Sequence, residues 1–175
     1  MTGPLALDPA RSALVLVDLM DRILALPLEP RKGTEVLTTA QELANTFREA
    51  GAPVVLVRVE RPGVADQPPG SGLASGLARQ GDIEIVKRTI GAFQGTELDA
   101  RLRRLGVTTL VFGGVATNLG VESTARAALD LGYDLVFVAD AMAAFTAAEH
   151  EASTRLDFPR LGTVVTADQV RFLAG

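Results

Sequence analysis

Three features of this chain could do chemistry together: Asp18, Lys87 and the run Val111-Phe-Gly-Gly-Val-Ala-Thr-Asn-Leu-Gly-Val-Glu-Ser-Thr-Ala-Arg-Ala-Ala128. The run reads as an apolar strand, a tight glycine-rich turn and a helix that opens with Thr117 and Asn118. Such a junction aims backbone N–H groups, and whatever side chain starts the helix, at one point in space. It suits acyl or oxyanion chemistry, in which donors fixed in advance meet developing negative charge. Asp18 closes one apolar run and Lys87 closes another. Singly, each has an ordinary use, since an acid at a strand end can cap a helix and a lysine there can be a surface charge. In an open α/β sheet, however, ligands bind outside the carboxyl ends of the strands, and all three features fall at such ends.

The elements that must position them alternate strand and helix. Residues 13–18, 53–59, 83–87, 108–112, 134–139 and 163–166 read as strands. Helical spacing is clearest at Val36, Leu37, Ala40, Leu43, Ala44 and Phe47, over residues 34–50 before Gly51. Further helices are expected over 97–105, 117–131 and 147–156, the last breaking near Pro159, and over 167–173 at the end. The strand runs lack a clean polar alternation, so both faces should be buried, as in a parallel sheet covered by helices. Repeated βα units predict a doubly wound α/β domain. A chain of 175 residues fits one domain over residues 1–175. Residues 62–81 are the one long irregular stretch, and so a lid, a binding loop or a mobile segment.

The turn makes a family resemblance specific. Gly114-Val-Ala-Thr-Asn118, followed by Val121-Glu-Ser-Thr-Ala-Arg126, resembles the signature of the isochorismatase-like hydrolases, the cysteine-hydrolase superfamily that includes nicotinamidases. Ala13-Leu-Val-Leu-Val-Asp18-Leu-Met20 resembles the family's opening strand and acid. Val86-Lys87-Arg88, with Gly91-Ala-Phe93-Gln-Gly95-Thr-Glu-Leu98, resembles its lysine segment. The likeness runs from about Ser12 to Val170. It implies the isochorismatase-like fold, three αβα layers around a six-stranded parallel sheet. It also implies site positions at Asp18, Lys87 and Gly120. In the family the acid moves protons, and the lysine keeps that carboxylate ionised and contacts substrate. The turn, here Val115, Ala116, Thr117 and Asn118, presents N–H groups to an oxyanion and carries a cis bond before Ala116.

At the place where most of these enzymes hold a nucleophilic cysteine, this chain has Gly120, and it contains no cysteine anywhere. It therefore resembles a subgroup with Gly in that place, and the thioester route is closed to it. Isochorismatases proper also lack the thiol. Their acid protonates a vinyl ether carbon and water attacks the resulting oxocarbenium ion. Those enzymes carry Val-Tyr-Ala-His in the turn, where this chain has Val115-Ala-Thr-Asn118. The resemblance implies a cofactor-independent hydrolase of a small organic molecule, with Asp18 as general acid/base. The alternative is a non-catalytic member binding a metabolite or a protein partner. Two charges held at a pocket floor favour catalysis over that alternative.

Leu19, Met20, Phe93 and Leu119 are expected to form the apolar pocket wall, with Arg58 and Gln94 as polar contacts. Ser123 and Thr124 should bond within the fold. No metal or other cofactor is expected. The nicotinamidase branch binds a cation through histidines after its second strand, where this chain reads Val59-Glu-Arg-Pro-Gly-Val-Ala-Asp66. The one histidine, His150, is expected to cap or pack. A net charge of −4 argues against a nucleic-acid surface. Arg101, Arg103 and Arg104 read as a solvated helix face. No apolar run approaches a membrane span, and residues 1–12 do not resemble a signal peptide, so a cytoplasmic protein is expected. The expected partner is a small-molecule substrate, and the resemblance implies a homodimer or homotetramer.

Overall fold

Apolar runs with no polar face can bury both sides only inside a sheet covered above and below. The computed structural model, which describes residues 4–173, has this arrangement. Strands β2 (Ser12–Val17), β3 (Val54–Val59), β4 (Ile83–Lys87), β5 (Thr109–Val115), β6 (Asp134–Ala143) and β7 (Thr163–Val165) form one six-stranded sheet, ordered β4-β3-β2-β5-β6-β7. Every pair in it is parallel. Along β2, Leu14 and Leu16 join one core, while Ala13, Val15 and Val17 join the other. Helix α2 (Gly33–Glu49) covers the first face with Val36, Ala40, Leu43, Ala44 and Phe47. Helices α3 (Leu98–Arg104) and α4 (Glu122–Asp130) cover the second with Leu98, Leu102, Ala125 and Ala128.

The chain builds outward from β2 through β3 to β4, then returns to build β5, β6 and β7 on the other side. The strand order reverses between β2 and β5, and a crevice opens at that switch point beyond the carboxyl ends. Val17, the last residue of β2, pairs with both Val57 and Gly114. Asp18 and the glycine turn therefore emerge side by side, while Lys87 ends the edge strand β4, opposite Val59.

Some elements differ from the sequence expectation. Residues 167–173 do not form a helix. A single 3₁₀ turn, Ala167–Gln169, leads into a strand β8 (Val170–Phe172). That strand pairs in parallel with β1 (Leu5–Leu7), which the sequence pattern did not reveal. The alternation Val170-Arg-Phe172 has the period of a strand, and Phe172 packs edge-on against Phe47 at 4.9 Å. A short helix α1 (Asp21–Leu24) was likewise not expected. Helix α5 (Ala147–Ala152) does not break near Pro159. It widens into a π turn, Ser153–Asp157, and continues as α6 (Phe158–Leu161), with Pro159 in the first turn of that segment, where a missing N–H costs little. Residues 62–81 lie against the chain that follows β2. Ala74 N donates to the Leu19 carbonyl at 2.9 Å, Arg22 N donates to the Gly70 carbonyl at 3.0 Å, and Leu77 is fully buried. Among the described residues no helix is long and apolar enough to cross a membrane.

Candidate active site

Asp18 follows directly on β2, yet its side chain does not continue the strand's alternation. Its φ is 53°, the one left-handed non-glycine residue among those described. Aspartate tolerates this region better than most residues, and such conformations persist where the surrounding structure over-determines them. Here the Asp18 N–H donates to the Val57 carbonyl at 2.8 Å, and its own carbonyl accepts from Met20 N at 2.9 Å. Asp18 is 7% exposed and Lys87 is 2% exposed. Lys87 Nζ lies 2.9 Å from Asp18 Oδ2 and also donates to the Ile90 carbonyl. Lys87 starts two strands away, roughly 10 Å at ordinary inter-strand spacing, so only a long side chain spans the gap. Asp18 Oδ1 is buried and has no hydrogen-bond partner among the described residues. Burial raises the Asp18 pKa above its ordinary value, although Lys87, by charge and hydrogen bond, and Arg22, by charge, oppose the rise.

The turn closes the site from the other strand. Gly114 has φ of 123°, and a Cβ there would fall 2.1 Å from the Val17 carbonyl oxygen, so β5 can end beside β2 only with glycine. The Val115–Ala116 peptide bond is cis, as the family resemblance implies. A π turn, Thr117–Val121, then opens α4, and Leu119 N and Val121 N both donate to the Ala116 carbonyl. Gly120 is buried on this turn, and a Cβ there would sit 3.2 Å from Lys87 Nζ and 3.3 Å from Asp18 Oδ2. Thr124 Oγ1 donates to the Gly120 carbonyl at 2.6 Å and accepts from Ala92 N at 3.1 Å, tying the turn to the lysine segment. Thr117 Oγ1 meets His150 Nδ1 at 2.8 Å, so His150 holds the start of the turn from α5. Asn118 Oδ1 is buried with no partner among the described residues.

A cavity of about 370 Å³ opens on this constellation, with Asp18, Lys87, Val115, Ala116, Leu119 and Gly120 in its lining. The other expected pocket residues lie elsewhere. Leu19 and Met20 are fully buried and do not line it. Phe93 packs near Tyr133, 6.1 Å between ring centres, and with Gln94 lines a separate surface recess. Arg58 is held by Glu84 at 2.6 Å and Glu60 at 2.8 Å. Ile23, Glu60, Arg61, Pro62, Ile90 and Phe145 also line the cavity, although the sequence pattern did not point to them. Five of these six follow a strand by only a few positions: Glu60 to Pro62 follow β3, Ile90 follows β4 and Phe145 follows β6. Counting past the ends of β3 and β4 would have found four of them, whereas Phe145 lies six residues beyond Ala139, where the sequence pattern ends its strand. Among the described residues no three His, Cys, Asp or Glu side chains converge as a metal site.

A doubly wound parallel sheet with a buried acid, a lysine and a glycine turn at its switch point defines an α/β domain of the isochorismatase-like type. The model of the isochorismatase domain matches residues 12–169, and the chain belongs to the isochorismatase family of hydrolases. It is 39% identical to the isochorismatase family protein YecD of Escherichia coli O157:H7, over 95% of this chain and 97% of that one. A solved isochorismatase family protein from Burkholderia thailandensis superimposes with a TM-score of 0.87, at 37% identity and 97% coverage of both chains. A shorter stretch of 61 residues is 49% identical to the ureidoacrylate amidohydrolase RutB of Methylobacterium radiotolerans, covering 35% of this chain and 24% of that one.

Proposed function

We propose that this protein belongs to a branch of the family with glycine in the nucleophile's place, and that it hydrolyses a small organic molecule without a thiol or cofactor. Asp18 is the acid/base, Lys87 its electrostatic partner, and the Ala116–Gly120 backbone the anion-stabilising element. The observation that carries the reading is the position of Gly120. The point from which a side chain would grow lies within 3.3 Å of both members of the Asp18–Lys87 pair. The charges and the turn thus share one cavity, and no side chain at position 120 stands between them and a bound molecule.

The chemistry follows from the carboxyl group. Asp18 lines the cavity with Oδ2 engaged by Lys87 and Oδ1 without a partner among the described residues, so its carboxyl group is the one to exchange a proton with a bound molecule. Burial raises the pKa, which moves the acid toward the range where a carboxyl group can donate near neutral pH. In a vinyl ether, the proton passes from Asp18 to the terminal alkene carbon and leaves an oxocarbenium ion. Water adds to that ion and returns a proton to Asp18, and the hemiketal collapses to ketone and alcohol. The test is turnover against a panel of small vinyl ethers and amides. With the substrate so found, Asp18→Asn should lower turnover by about 10²-fold or more, the usual contribution of a positioned acid. EDTA should leave the rate unchanged. An Asp18→Asn enzyme with near full turnover would remove the acid from the mechanism.

A further inference from the structure

The cavity carries five charged side chains: the acids Asp18 and Glu60, and the cations Arg61, Lys87 and Arg88. Four of them are already matched. Lys87 holds Asp18 at 2.9 Å, and Arg88 holds Glu60 at 2.8 Å, with Arg58 on the other Glu60 oxygen at 2.8 Å. The Arg61 guanidinium is left over, with no hydrogen bond or ion pair among the described residues. Its backbone, by contrast, is clamped. Arg61 N donates to Gln67 Oε1 at 2.8 Å, and Gln67 Nε2 donates to the carbonyls of Arg61 and Val64 at 3.1 Å each. A second cation stands close behind. Arg22 precedes the cavity residue Ile23, its charge reaches Asp18, and its Nε is buried with no acceptor among the described residues. Two cations without an ion pair among the described residues, Arg61 and Arg22, thus stand in or beside this opening. Apart from Thr89, whose hydroxyl is spent on the Gly91 carbonyl, the rest of the wall is apolar and includes Ile23, Val59, Val115, Leu119, Ile90 and Phe145. Ile90 is 62% exposed and Phe145 43%, so an apolar surface extends to the mouth.

Resting on the reading of this cavity as the substrate site, we propose that the substrate is a small carboxylate with an apolar body, and that Arg61 is the residue that pairs its carboxylate. The single guanidinium fork matches two carboxylate oxygens, and one surplus charge balances a monoanion. The apolar body lies along Leu119, Ile90 and Phe145. Arg22 adds to the attraction through its field without touching the ligand.

Binding of three probes of like shape and different charge tests this, by calorimetry or ligand-observed NMR: benzoate, benzamide and benzylamine. Benzoate should bind about tenfold more tightly than benzamide, in line with one charge-assisted pair, and benzylamine more weakly than either. Arg61→Gln should bring benzoate to the level of benzamide, and Arg61→Lys should restore part of the difference. Raising the salt concentration should weaken benzoate alone. Benzamide binding as well as benzoate, benzoate failing to bind, or Arg61→Gln binding benzoate like the unaltered protein would each overturn the proposal. Arg61 is exposed and its backbone clamp survives the substitution, so the variant folds. The readout is binding and not turnover. A tie between benzoate and benzamide therefore leaves the Asp18 test intact, and an inert Asp18 leaves the benzoate preference intact.

Discussion

Replacing Lys87 with methionine keeps the length of the side chain and removes its charge. Asp18 then stays buried without the partner that lowers its pKa by charge and by hydrogen bond, and only Arg22 still opposes the effect of burial. The acid has one inexpensive escape, which is to fold protonated. At pH 7 that costs the free energy of taking up a proton at a pH well above the ordinary aspartate value of 3.8, about 4 kcal/mol. At pH 5 the same step costs about 1.6 kcal/mol. The sign follows from linkage. A raised folded-state pKa means that the folded protein binds more protons than the unfolded one, so the stability is complete below the ordinary value and is lost as pH rises through the folded one. The unaltered protein carries a weaker slope of the same sign, because Lys87 offsets part of the burial. Urea denaturation at pH 5, 6 and 7 should therefore show a Lys87→Met deficit that widens with pH by up to about 2.7 kcal/mol. Adding Asp18→Asn should recover most of it, since replacing a buried pair by neutral groups is often neutral or stabilising. A deficit of equal size at pH 5 and pH 7, or one that Asp18→Asn deepens, would refute the account of the pair.

Gly120→Cys tests the turn. The Gly120 backbone suits an L-residue, and the new Cβ would meet Val17, Lys87 and Asp18 at 3.1–3.3 Å, which asks only for shifts of a few tenths of an ångström. Its thiol should react with iodoacetamide near pH 7 faster than a free model thiol, because it stands at a helix start beside Lys87, and faster still with Asp18→Asn; a rate no higher than the model thiol's would mean that the turn is not electropositive. His150 titrates below its ordinary value because it is buried and faces the charge of Arg31, against a smaller opposing pull from Glu151. A depressed histidine stabilises above its unfolded pKa and loses that contribution as pH falls through the folded one. His150→Gln, which can keep the bond to Thr117, should therefore flatten the loss of stability below about pH 6.5, by up to about 1.4 kcal/mol for every tenfold weakening of proton binding in the folded protein; identical acid slopes in the two proteins would show that His150 does not titrate in this range.

The parts of this protein legible in its sequence are those fixed by local pattern, and the parts that were not depend on one residue's geometry or on a distant partner. Unalternating apolar runs announced six buried parallel strands, because burial on both faces leaves no polar position along the run. The three-residue strands Leu5–Leu7 and Val170–Phe172 are each too short to carry a pattern. They exist by pairing with each other across the length of the chain, which no window of sequence contains. The site divides in the same way. Asp18, Lys87 and Gly120 could be placed together because strand ends converge at a switch point. Leu19 and Met20 were expected beside the acid because they are its neighbours in sequence. The positive φ of Asp18 breaks that inference: it turns the carboxylate into the cavity while Leu19 and Met20 drop into the core, fully buried. Phe93 fails for a related reason. Its segment is drawn onto α4, where Ala92 N donates to Thr124, and the ring settles near Tyr133 instead. An apolar side chain that does reach the cavity is Phe145, after a β6 that runs to Ala143 and not to Ala139. Four extra strand residues, admitted by the shift in register after Phe112, carry the chain up to the mouth. The composition of the cavity wall thus depends on how far β6 extends, and that extension is set by its pairing with Gly114 and Val115, the residues that lead into the turn.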